Sequence, residues 1–190
     1  MGDRAIPLVD LSKYRQGSDE EKKQFASELG RAFHEVGFVG VINHGIAKSL
    51  VDEFYASAKA FFALPVETKQ DYEVSGLAGQ RGYTSFGKEH AKQSNVGDLK
   101  EFFQIGQTVT DDDAIKIEYP DNVHVPEVGS LADKGNELYK AFEQAGGELL
   151  AAIGEFLGLG ENYFKYKIHN GNSILPVSYT HLTLPTSDLV

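Results

Sequence analysis

The sequence predicts an α+β protein, and three observations carry that prediction. Long runs place apolar residues at helical spacing, and short branched apolar stretches lie between turn formers. The third observation is a deficit. The apolar helix faces need a strand-rich partner, and only residues after about 170 remain to supply it. In chain order, IPLVDL (6–11) reads as a strand. Ser18 opens a helix with Glu21 three residues on, a capping box, and Phe25, Leu29, Phe33 and Val36 follow on one face before Gly37. FVGVI (38–42) is a second strand, closed by the turn Asn43-His44-Gly45. A second helix carries Leu50, Val51, Phe54, Ala58, Phe61 and Phe62 and stops before Pro65. From Gly76 to about Pro126 the signals are those of loop with short strands, FFQI (102–105) among them. A long helix over 130–158 sets Leu138, Phe142, Ala145, Leu149, Ile153 and Phe156 on a core face, with Gly146-Gly147 a weak spot inside it. ENYFKYKI (161–168) reads as a further short helix.

A chain of 190 residues suits one domain, or one and a part. Its net charge of −10 repels phosphate backbones and anionic lipid, so neither nucleic acid nor a membrane surface is an expected partner. The absence of cysteine removes disulfides, thiolate metal sites and cysteine nucleophiles. No apolar run approaches the roughly 20 residues of a membrane span. The N-terminus MGDRAIPLVDLS has no signal-peptide pattern. The expectation is a soluble cytoplasmic protein.

The residues alone assemble no catalytic constellation. An iron site with two histidines and a carboxylate begins with His-x-Asp or His-x-Glu, which puts two ligands on one strand face. His34, His44, His90, His124, His169 and His181 are followed at the second position by Val36, Ile46, Lys92, Pro126, Gly171 and Thr183. His34 reads as a helix-surface residue and His44 as a turn residue satisfying backbone groups. The glycine-rich stretch 76–82 lacks the Gly-Lys-Ser/Thr ending of a phosphate loop, and no G-x-S-x-G elbow is present.

Several stretches together resemble the N-terminal region of the isopenicillin N synthase-like, iron(II)- and mostly 2-oxoglutarate-dependent dioxygenases. They are IPLVDLS (6–12), GFVGVINHGI (37–46), FFALPVETK (61–69), RGYTSFGKEHAK (81–92), DLKEFFQIG (98–106) and FLGLGENYF (156–164). The resemblance implies helices and strands that pack on a double-stranded β-helix, or jelly roll, largely missing from this chain. It implies iron(II) and 2-oxoglutarate as cofactors of the full-length parent, with a small-molecule substrate and O₂ as its partners. The parent would hydroxylate, desaturate or cyclise that substrate. The family's His-x-Asp pair, later His and Arg-x-Ser pair all lie beyond the matched region. Arg4, Arg15, Arg31 and Arg81 are followed at the second position by Ile6, Gly17, Phe33 and Tyr83, so no Arg-x-Ser occurs here. No metal ligand and no catalytic residue is therefore assigned, and the fragment itself is expected to bind no cofactor and to be inactive. The alternative is a non-catalytic binding or scaffold module that kept only this N-terminal fold.

The resemblance also implies candidate substrate-binding residues. Arg81 and Tyr83 match a segment near the substrate, where an arginine fork suits a carboxylate. Asn172 and Ser173 match the strand that enters the jelly roll. Lys100 and Glu101 read as scaffold. The domain expected is 1–175. After NSIL (172–175) the chain continues PVSYTHLTLPTSDLV, which back-translates to a sequence resembling a transposase-end library adaptor. Residues 176–190 are accordingly expected to be a non-native tail, with only the first base of codon 176 native.

Overall fold

The computed structural model describes residues 5–77, 79–90, 97–110 and 114–180. The chain divides into two compact units, Met1–Val51 with Lys140–Gly171 and Asp52–Tyr139 with Asn172–Val190.

In the first unit, β1 (Leu8–Asp10) pairs in parallel with β2 (Gly40–Ile42), Val9 opposite Val41. Parallel pairing needs a long crossover, which α1 (Leu11–Gln16) and α2 (Asp19–Glu35) supply. α1 has no counterpart in the sequence reading, since six residues are too few to show a period. It starts where it does because the Asp10 carboxylate accepts from the Ser12 backbone N–H at 3.0 Å. α2 opens on the expected capping box. Ser18 Oγ accepts from the Glu21 N–H at 3.3 Å, and the Glu21 carboxylate accepts from the Ser18 N–H at 2.8 Å. Gly37, at φ +83°, turns the chain out of the helix.

The core of this unit joins Val9, Leu11, Phe25, Ala26 and Leu29 to Ala145 and Ala152 from α5 (Ser130–Phe156). Phe33, Phe142 and Phe156 were expected inside and are 45%, 48% and 41% exposed. Periodicity marks which face of a helix is apolar, not how far its neighbours extend along it. Phe156 shows the limit: its ring covers Gly30, where any Cβ would overlap it, while its other side stays open. The weak spot Gly146-Gly147 has no packing reason, since a Cβ at either would meet nothing. The short helix expected over 161–168 forms only at its end, as α6 (Lys165–Ile168).

The division between units falls within α3 (Lys48–Phe62) and within α5. In the second unit α4 (Val66–Gln70) follows Pro65, which is favourable just before a helix. The sheet is antiparallel, with β4 (Lys100–Gly106) between β3 (Gly82–Thr84) and β5 (Ile174–Thr180). As the middle strand β4 is paired along both edges, and the adjacent buried Phe102 and Phe103, which point to opposite faces, show that both its faces are covered as well. Phe61 of α3 is fully buried and meets Phe103, Phe62, Tyr83 and Tyr72 edge-on, with centroids at 4.9, 5.5, 5.6 and 6.1 Å. Burying one such ring contributes about 1.5–3 kcal/mol.

β5 is the strand that the sequence placed after residue 170. It pairs with β4 from Ile174 opposite Gly106 to Thr180 opposite Lys100, and so runs across the expected boundary at 175/176. Pro176 is tolerated because β5 is an edge strand of this sheet. The later part of the expected tail, 181–190, lies outside the described residues. Among the described residues no helix is long and apolar enough to cross a membrane.

Candidate functional site

The sequence-derived candidates all fall in the second unit, around the start of β3 and the approach to β5. Arg81 sits just before β3 and is 1% exposed. Its Nη1 donates to the Gln80 carbonyl at 2.8 Å, while Nε and Nη2 have no hydrogen-bond partner among the described residues. Burial pushes its pKa below the ordinary guanidinium value, with the Tyr139 and Tyr119 phenols acting in the opposite direction. The guanidinium lies against the backbone of Gly106, where any Cβ would overlap it.

Asn172 is brought to the same place. Its Nδ2 donates to the Gln80 side-chain carbonyl at 3.1 Å, so Gln80 joins Arg81 on one side to Asn172 on the other. Ser173 is exposed, and its backbone carbonyl accepts from the Tyr139 hydroxyl at 3.3 Å.

Tyr83 is committed elsewhere. Its ring is buried, and its hydroxyl donates to Glu101 Oε2. Burial first, and then this bond, push the phenol well above its usual pKa, so it stays a donor. Lys69 Nζ completes the cluster, donating to Glu101 Oε1 and Oε2 at 2.9 and 2.7 Å and to the Phe62 carbonyl at 3.2 Å. Three donors thus meet three acceptors, and a buried ion pair is supported only when such bonds are complete. Glu101 is scaffold, as the sequence suggested, and it draws Tyr83 into that role. Tyr83 also lines a cleft of about 400 Å³ with Glu73, Val74, Thr84, Lys88 and Glu89. In that cleft the Glu73 carboxylate ties down Ser85 and Lys88.

Sequence reasoning missed the residues that hold the Arg81 side in place. Asn122 Oδ1 accepts from the Gly106 N–H at 2.7 Å, and Asn122 Nδ2 donates to the Gly106 carbonyl at 2.8 Å, as a paired strand would. Asn122 Nδ2 also donates to Asn136 Oδ1 at 2.8 Å. A single asparagine in a loop carries no pattern that could have announced this. His44 is where the turn reading put it, with Nδ1 accepting the Ile46 N–H at 3.1 Å.

Among the described residues no three His, Asp or Glu side chains converge as a metal site would require. These residues therefore do not fit an iron centre. The decisive observation for kinship is one of sequence: residues 6–127 match the family described as non-haem dioxygenase in morphine synthesis N-terminal. The chain belongs to that family. As a member of the dioxygenase N-terminal family, it is 26% identical over 92% of its length to the 2-oxoglutarate-dependent dioxygenase ecdK of Aspergillus rugulosus. It is 28% identical over 84% of its length to jasmonate-induced oxygenase 1 of Arabidopsis thaliana. A solved 2OG-Fe(II) oxygenase family protein of Caulobacter crescentus superposes with a TM-score of 0.80 at 36% identity, over 92% of this chain. A Neurospora crassa protein solved in complex with alpha-KG shares the fold at TM-score 0.76 and 23% identity over 94% of the chain. The chain spans 56% of the Aspergillus relative, 36% of the Arabidopsis one and 55% of each of these two solved proteins.

Proposed function

We propose that this chain is the N-terminal part of an iron(II)- and 2-oxoglutarate-dependent oxygenase that hydroxylates, desaturates or cyclises a small molecule with O₂. The observation that supports this reading is the family match over 6–127, joined to 36% identity with an oxygenase-family protein of the same fold. In this reading the parent protein is cytoplasmic and holds its iron and co-substrate with residues outside the present stretch. The chemistry that iron held by those other residues would supply is activation of O₂. The residues of this chain orient the substrate. Arg81 and Asn172 face it from the two sides of Gln80, Ser173 borders it at the start of β5, and Tyr83 holds β3 in place from within.

Reading the source DNA beyond codon 175 tests the proposal. An in-frame H-x-D, a later His and R-x-S are the expected outcome, and their absence would favour a scaffold module instead. The same read tests the tail, for which the reading is that 177–190 derive from a library adaptor. Continuous genomic sequence through codon 190 overturns that part. At the protein level, titrating the purified chain with Fe(II) and 2-oxoglutarate should give no tight stoichiometric binding.

A further inference from the structure

Gly147 lies in the interior of α5, where a Cβ would enter open space. A glycine at such a place costs a helix about 1 kcal/mol relative to alanine. The open space beside it is a groove of about 410 Å³, lined entirely by residues of the first unit. Gly147 and Ala151 line it from α5, Tyr14 from α1, and Phe164 and Ile168 from the chain around α6. None of the candidate substrate residues borders it. A mostly apolar groove of this size with a few placed charges is the usual form of a small-molecule site.

The charges around the groove are mainly of one sign. Glu143, Glu148 and Glu161 line it against Lys165. Glu148 is matched by Arg15, whereas neither Glu143 nor Glu161 is in an ion pair among the described residues. The Tyr14 hydroxyl donates to Glu155 Oε1 at 3.1 Å. Burial first, and then the carboxylates of Glu155, Glu161 and Glu148, push this phenol well above its usual pKa, so its ring stays neutral in a negative field. Yet among the described residues no three acidic or histidine side chains converge as a metal ion requires. Negative charge spread along an apolar groove complements a cation joined to an apolar body. An ammonium is also attracted to aromatic rings such as those of Tyr14 and Phe164.

We propose that this groove binds an organic ammonium, a small amine whose apolar body lies along Gly147, Ala151, Phe164 and Ile168 and whose charge meets Glu143 and Glu161. The site goes beyond the oxygenase reading and holds equally for a scaffold module. It also gives Gly147 a reason to be glycine, since the missing methyl leaves the groove open at the helix.

The probe is phenethylamine, protonated at neutral pH, added to the ¹⁵N-labelled chain and set against phenethyl alcohol, which has the same body without the charge. The amine should move the Gly147, Ala151 and Ile168 amide peaks saturably, and the alcohol much less. Sodium chloride at equal ionic strength should leave them in place. No saturable response to the amine overturns the site. An equal response to the alcohol overturns the ammonium assignment, and an equal response to sodium chloride reduces the groove to a solvated acidic surface. Replacing both carboxylates, Glu143→Gln with Glu161→Gln, should raise the amine midpoint about threefold, the scale of exposed charge contacts. An unchanged midpoint there overturns the role given to these two residues. Gly147→Ala should raise the urea midpoint, because alanine is the better helix former. Its methyl should at the same time raise the amine midpoint about tenfold, the scale of overfilling a packed space. An unchanged amine midpoint in this variant overturns the groove as the seat.

Discussion

Gly82 carries two constraints at once. Its φ of +72° is the left-handed region that side chains rarely adopt, and a Cβ there would overlap the Tyr72 carbonyl. Gly82→Ala should therefore destabilise the chain by about 1–3 kcal/mol, read as a lower urea midpoint at constant m-value. Asp10 makes a different demand. Its carboxylate accepts from the Ser12 hydroxyl, the Asn43 amide and the Ser12 backbone, bonds that hold its pKa below the ordinary aspartate value. A carboxylate whose folded pKa is depressed binds its proton more readily in the unfolded chain. Its contribution is thus complete above about pH 4 and is lost as pH falls through the lower folded value. Asp10→Asn keeps an acceptor oxygen and removes the titration. The difference in urea midpoint between the parent and this variant should shrink from about pH 5 to about pH 2. A difference independent of pH over that range would show that the charge is not what stabilises the cap.

The buried triad of Lys69, Tyr83 and Glu101 ties the segment after α3 to β3 and β4, and its members are unequal. Lys69→Met leaves Glu101 buried without its cation and should cost about 3–5 kcal/mol in chemical denaturation. Tyr83→Phe removes one bond to a charged acceptor and should cost less, about 1.5–3 kcal/mol. If the order were reversed, the cluster would be held by the phenol rather than by the ion pair. Such a triad could not be read from the sequence, because its partners lie 32 and 18 residues apart. The capping box of α2 was legible for the opposite reason, since Ser18 and Glu21 are three residues apart and act within one turn. β4 was visible as FFQI, but not that it is the central strand, which depends on a partner about 70 residues later. Of the candidate site, Arg81 and Asn172 were singled out through resemblance, and the fold brings them together at Gln80. Their support from Gly106 and Asn122 is a long-range contact between two residues with no local signature.

At the scale of the whole molecule, both compact units are assembled from separated stretches of sequence, and all of the intervening chain belongs to the other unit. The sheet of the second unit bears the cost of that arrangement. β3 and β4 lie within 25 residues of each other, whereas β4 meets β5 only by pairing Lys100–Gly106 with Ile174–Thr180. Closing the larger loop costs only slightly more entropy, but its contacts reward the chain only after everything between has been made. During translation from the N-terminus, the hairpin of β3 and β4 can form early, with one flank of the middle strand still waiting. Ile105, buried in the finished sheet, faces no partner at Leu175 until the ribosome has released that stretch. The nascent chain is thus most exposed to chaperones and to sticking partners in the interval between making residue 106 and making residue 174.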